Sequence, residues 1–192
     1  NEGPECPCCH ELLKYYDHVL RKPRTYGGIK QSFWIPRYRC CNDKCLCKIM
    51  RVLCDCLTPY KQYMTEIIEN VVDGISTPED LTTENYPCEK TMERWKRLIV
   101  GNRVQIDGAL KSVGSRYLGF GVELLESKVS LLDTLRMEGA GWLAIVNRIM
   151  WNFRLTFLNA RQLKDAPPGL SGVPEDAGLS SPHKEMMNHG KQ

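Results

Sequence analysis

The stretch RYRCCNDKCLCKIMRVLCDCLTPYKQY, residues 37–63, holds six cysteines between Cys40 and Cys56, and its reading decides the fold. Upstream, CPCCHE at residues 6–11 supplies three more. Cys6 and Cys9 have the two-residue spacing that lets two thiolates and two backbone N–H groups turn around one tetrahedral metal. A second pair must come from the distal cluster, where Cys40 and Cys45 have a four-residue spacing that also forms a knuckle. Cys8, Cys41 and Cys47 lie beside these positions and could replace them, Cys47 competing most directly with Cys45. His10 reads as a surface histidine beside the first knuckle, and Cys54, Cys56 and Cys88 read as small buried apolar groups. The alternative use of so many cysteines is a disulfide framework.

Between the pairs lie a basic turn, RKPRTYGGIK (residues 21–30), and the strand-like SFWIPRYRC (residues 32–40), with Phe33, Ile35 and Tyr38 apolar and Pro36 interrupting. Such short strands bury little, so the segment calls for an external staple, and a zinc ion on four thiolates supplies one. The only helical periodicity in residues 1–57 falls on ELLKYYDHVL (residues 11–20).

From Thr58 the character changes. Pro59 signals a helix start, and Ile67, Ile68, Val71 and Val72 form an apolar stripe ending at Gly74. STPED (residues 76–80) predicts a second, short helix capped by Thr77. A third starts near Pro87 and runs to Gly101, with Met92, Trp95 and Ile99 on one face and Lys90, Arg94 and Arg97 on another. Further helices are predicted around Val104, Ile106, Leu110 and Val113, over residues 122–137, and over residues 141–158. In the last, Trp142, Ile145, Ile149, Phe153 and Phe157 share a face with Leu143, Val146 and Met150 alongside. Its apolar surface suits core packing, and an exposed remainder would suit a homodimer. The expected architecture is mainly α with a small N-terminal β zinc ribbon. The predicted units are the ribbon at 1–57, a helix-turn-helix at 58–101, a helical segment at 102–161 and a Pro-, Gly- and Ser-rich disordered tail at 162–192.

Charge divides along the chain. Residues 1–61 carry +5, residues 62–87 carry −6 with no Lys or Arg, and residues 88–116 carry +4. Two basic blocks brought together by the fold would suit nucleic acid. In a helix-turn-helix, Lys90, Thr91, Arg94 and Arg97 would face a major groove. Arg21, Lys22, Arg24 and Lys30 form a second candidate phosphate patch, while Tyr26, Phe33 and Trp34 are expected to pack on the ribbon. No phosphate-loop motif occurs, and no alternating strand pattern after Thr58 could set out metal-binding carboxylates, so an enzyme is not expected. No apolar run is long enough for a membrane span and NEGPECPCC is no signal peptide. Ten cysteines without a leader point to a reducing, cytoplasmic setting.

The order CPxC, basic loop, RYRC, CNDKC, LxDxLxPYKQY, VVDGISTPEDL and YPCEKTMERWK resembles a bacterial family of unknown function found in mobile elements, over about residues 4–160. Its members join a zinc ribbon to a helix-turn-helix, similar to the N-terminal part of some transposases. The resemblance implies Cys6, Cys9, Cys40 and Cys45 as metal ligands. The chain departs from the pattern at Cys54 and Cys56, in place of a proline and an aromatic residue, and at Cys88, in place of a serine cap. The expected function is non-enzymatic binding of double-stranded DNA as a regulator or recombination accessory. The alternative is binding and inhibiting a host nucleic-acid-processing complex through the acidic face of residues 62–87, by Glu66, Glu69, Asp73, Glu79 or Asp80.

Overall fold

In the computed structural model, which describes residues 4–80 and 87–153, ELLKYYDHVL is strand and not helix. Strand β1 (Leu13–Arg21) pairs antiparallel with β2 (Phe33–Cys40), and β2 with the short β3 (Ile49–Arg51), giving the order β1-β2-β3. The helical look of the sequence has a physical cause. A bulge between Tyr15 and Asp17 inserts Tyr16, so the two-residue alternation of a strand slips by one. Beyond the bulge the register sets Val19 opposite Ile35 and Asp17 opposite Arg37, where carboxylate and guanidinium form a cross-strand ion pair.

Pro36 is tolerated within the central strand because of where its missing donor falls. Its carbonyl accepts from the Val52 N–H at 3.1 Å. In an extended strand a residue's N–H and C=O point to the same side, so the absent N–H faces the β3 side. There the ladder has already ended, at the Arg37–Arg51 pair.

Six helices follow among the described residues: α1 (Thr65–Val72), α2 (Glu89–Gly101), α3 (Arg103–Tyr117), α4 (Glu123–Glu126), α5 (Leu131–Met137) and α6 (Trp142–Asn152). Pro59 does not start the first of them. It lies in a turn with Tyr60, whose φ is +60°, and α1 begins at Thr65. At Thr77 the backbone N–H donates to the Asp80 carboxylate at 2.6 Å, but the short helix predicted to follow runs into residues outside the described ones. The tail at 162–192 and Phe157 also lie outside them. The single helix expected over 122–137 is two, because Ser130 accepts from the Asp133 N–H and caps a fresh start.

The predicted stripes meet in one core. Ile67, Ile68 and Val71 of α1, Met92, Trp95 and Ile99 of α2, and Ile106 and Leu110 of α3 pack with Leu132, Trp142, Leu143, Val146 and Met150. The segments read as 58–101 and 102–161 therefore share this core. On α6 the inward face is Leu143–Val146–Met150; Ile145, expected on the main apolar face, stays 41% exposed. Val104 of α3 is likewise exposed.

Acidic side chains of α1 and of its C-cap, Asp73, organise the far helices. Glu69 is buried and its carboxylate accepts from the backbone N–H groups of Gly141 and, at 2.9 Å, Leu143. It thus caps α6 from another helix, where Gly141 with φ +95° offers no side chain to do so. Asp73 accepts from the Trp142 indole at 2.7 Å and pairs with Arg136.

Candidate metal centre and basic junction

Two backbone turns present the thiols. In the first, His10 N–H donates to Cys6 O and Cys6 N–H to Glu11 O, both at 2.8 Å, with His10 at φ +59° closing the knuckle. In the second, Cys45 N–H donates to Asn42 O at 3.0 Å and Cys40 N–H to Lys48 O at 3.1 Å. These turns bring Cys6, Cys9, Cys40 and Cys45 together, with all four Sγ atoms within 4.8 Å of one another. Cys6 and Cys45 are 3.7 Å apart at sulfur, and Cys9 and Cys40 are 3.5 Å apart. Sulfurs set about 2.3 Å from one tetrahedral ion stand about 3.8 Å from each other. The spacing and the all-sulfur donor set therefore suit a metal ion such as zinc.

Three of these thiols depart from the ordinary range, in different directions. Burial alone would push the Cys6 thiol up, but the N–H groups of Cys8 and Cys9 and the neighbouring thiols bring it down to about 7. Burial pushes Cys40 up to about 12. At Cys45 the N–H of Cys47, 3.4 Å from the sulfur, pulls downward, yet burial and the adjacent thiols leave the group raised. Thiols crowded this way resist joint ionisation until a cation neutralises them.

Cys47 is not in this cluster. It forms a disulfide with Cys8, with Cα atoms 6.6 Å apart, directly beside the four thiols. A disulfide and a thiol cluster that could hold a metal ion thus lie side by side. His10 is an exposed residue near Glu5. Cys54 and Cys88 are exposed, against the expectation that they are buried, while Cys56 is half-buried and its thiol is pushed up to about 12, mostly by burial. Cys88 stands at the N-cap of α2, with its sulfur 3.3 Å from the Thr91 hydroxyl, in the position where the resemblance led us to expect serine.

The basic residues gather where the ribbon meets the helices. Arg24 N–H donates to Gln62 O at 2.7 Å and Met64 N–H to Arg24 O at 3.1 Å, tying the ribbon loop to the approach to α1. The Arg21 guanidinium donates to the carbonyls of Thr58 and Lys61. Arg21, Lys22, Arg24 and Lys30 thereby line one cavity of about 330 Å³ with Lys61 and Gln62. Lys61 and Gln62 had not been singled out from the sequence; their only signal was the turn set by the preceding Pro59.

Lys90, Arg94 and Arg97 are exposed on α2 as predicted, and Arg97 lies 3.6 Å from Glu93 one turn earlier. Thr91 is half-buried, its hydroxyl accepting from Arg94 at 3.2 Å, so it is turned to its own helix. The two basic blocks influence each other: burial, and then the charge of Arg94, holds the Lys61 ammonium below its ordinary range. Of the aromatic residues expected to pack on the ribbon, Tyr26 instead packs against the helical core, and Trp34 is 63% exposed and meets His18 edge-on.

Residues 6–95 match the family described as a domain of unknown function (DUF6431), a span just under half of the chain. It contains all four clustered thiols and the whole cavity lining, and it ends within α2. No curated protein and no solved structure matches the chain.

Proposed function

We propose that this chain is a zinc-holding, non-enzymatic protein that binds double-stranded DNA. The observation that supports the reading is the gathering of Arg21, Lys22, Arg24, Lys30 and Lys61 at the junction of ribbon and helices, with the charge of Arg94 on α2 bearing on Lys61. Zinc on Cys6, Cys9, Cys40 and Cys45 would fix the ribbon; a closed shell of four thiolates leaves no position for catalysis. Lys90, Arg94 and Arg97 would approach the duplex from α2, and the ribbon loop would hold backbone phosphate. Helices α1 and α2 would form two members of a helix-turn-helix. The resemblance to mobile-element proteins supports a regulatory or recombination-accessory role.

The rival reading, an acidic face for a basic partner, draws on residues already engaged elsewhere. Glu69 and Asp73 hold α6, and Asp80 accepts from Thr77; among the described residues Glu66 and Glu79 are exposed carboxylates that these contacts do not use. The deciding experiment measures duplex affinity across salt concentrations for the zinc-loaded chain and for Arg94→Ala/Arg97→Ala. Affinity that falls steeply with salt, and further in the variant, supports the reading. No binding at low salt would overturn it.

A further inference from the structure

The bulge in β1 sets which side chains share a face of the sheet. Residues paired across an antiparallel ladder project from the same face, and successive rungs alternate. In a regular strand Tyr15 and His18 would therefore point to opposite faces. With Tyr16 as the inserted residue, the rungs Tyr15–Tyr38, His18–Pro36 and Leu20–Trp34 all project from one face.

Four rings form a chain of contacts on that face. Trp34 meets His18 edge to face with centroids 4.8 Å apart, the Tyr15 hydroxyl and His18 Nδ1 lie 2.9 Å apart, and Tyr15 meets Tyr38 edge to face at 6.0 Å. An edge-to-face contact covers one face of one ring, so the chain steadies its members and still leaves flat surface open. Trp34 is 63% exposed, Tyr15 is 58% exposed, and His18 is exposed as well. The reverse face is the one the fold itself uses: Ile35 is buried there, and Arg21 reaches the carbonyls of Thr58 and Lys61.

Two properties of this surface limit what it can receive. Among the exposed side chains of these rungs only Leu20 is aliphatic, and the others are flat rings with polar edges. The strand–loop–strand segment 13–40 carries seven Lys and Arg against one acid, a net +6, and that acid, Asp17, pairs with Arg37. Lys22 and Lys30 are exposed in the loop beyond the Trp34 end of the row. A ligand with flat rings strung on a polyanionic chain matches both properties. The bases of a duplex are stacked on one another, whereas those of a single strand can stack on protein rings.

We propose that the row Tyr15–His18–Trp34 is a stacking surface for the unpaired bases of a single-stranded nucleic acid. It lies on a different element from α2 and does not rest on the duplex reading.

The test uses the full chain with zinc supplied and an oligothymidylate of about twelve nucleotides, within the usual site size of a small single-strand-binding domain. Binding should quench indole fluorescence, and Tyr15→Ala/Trp34→Ala should lower the affinity at least tenfold, read by anisotropy of the labelled strand. Trp34→Phe keeps a ring and should retain most of the affinity that Trp34→Leu, apolar but not flat, loses. An abasic strand of the same length has the phosphates without the bases and should bind at least tenfold more weakly. Equal binding of the abasic strand, equal affinity in Trp34→Phe and Trp34→Leu, or no binding of oligothymidylate would overturn the inference. Self-association lost in the same variants, with no strand bound, would overturn it too and give the face to a second copy of the chain. Arg94→Ala/Arg97→Ala should leave the preference for oligothymidylate over the abasic strand unchanged. A chain with that preference and no duplex binding would sink the duplex reading alone; duplex binding without the preference would sink this inference alone.

Discussion

Single side chains decide whether the ribbon can hold an ion. The Cys6 thiol is lowered to about 7 while burial pushes Cys40 up to about 12, so a cation would be needed to bring both sulfurs to thiolate together. Cys6→Ser or Cys40→Ser should abolish stoichiometric zinc, read by elemental analysis of dialysed protein. Cys41→Ser and Cys54→Ser, at exposed thiols outside the cluster, should leave one zinc per chain. Glu69 carries a comparable weight for the helices. Glu69→Ala leaves the N–H groups of Gly141 and Leu143 without their carboxylate, and should cost about 3 kcal/mol in denaturant unfolding. A loss under about 1 kcal/mol would show that another group takes over the cap.

Among the elements, an ion pair within α3, whose carboxylate also accepts from α5, has a measurable pH signature. Asp107 pairs with Lys111 at 3.0 Å and accepts from the Leu132 N–H at 3.2 Å. Burial pushes its carboxyl up, but Lys111 and the N–H groups of Leu132 and Leu131 prevail and hold it below the ordinary range. A carboxyl lowered by folding stabilises above its unfolded value, about 3.9, and loses that contribution as pH falls through the folded value. Asp107→Asn should therefore unfold more easily at neutral pH by about 1–2 kcal/mol, with the gap to the parent closing only below about pH 4. A gap unchanged down to the acid limb would mean the carboxylate charge is irrelevant there.

The elements also differ in how plainly the sequence announces them. Helix α2 was legible because Met92, Trp95 and Ile99 recur at helical spacing and all three are buried. Strand β1 was not, because the bulge at Tyr16 disrupts the alternation that reveals a strand. Spacing offered the four clustered cysteines but left Cys8, Cys41 and Cys47 as alternatives, and only the family resemblance implied the set, whereas the Cys8–Cys47 bridge joins residues 39 apart and depends on how two turns face each other. Glu69 looked like part of an acidic surface; its inward role depends on α6, more than seventy residues downstream.

For the whole molecule, the attachment of ribbon to helices determines whether the basic blocks act as one surface. Arg148 pairs with Asp55, and the Trp151 indole donates to Arg51 O at 3.0 Å, so α6 grips the segment leaving the ribbon. A buried network of Asn147, Thr58 and Thr65 adds two hydrogen bonds of 3.1 Å at the same place. Asn147→Leu should loosen this attachment and weaken duplex binding severalfold without lowering zinc content, as measured by titration of the zinc-loaded variant. Unchanged duplex affinity would mean that ribbon and helix bind independently.

The disulfide and the thiol cluster fasten the same pair of turns. Cys8 lies between Cys6 and Cys9, and Cys47 follows Cys45 by two residues. Closing a loop of this length is worth about 4 kcal/mol. A chelator alone should then leave the two turns covalently joined, and a reductant alone should leave them joined through the ion. With an ion held at the four thiols, only both reagents together should let the ends of the ribbon part, so its disassembly would need metal scarcity and reducing power at once.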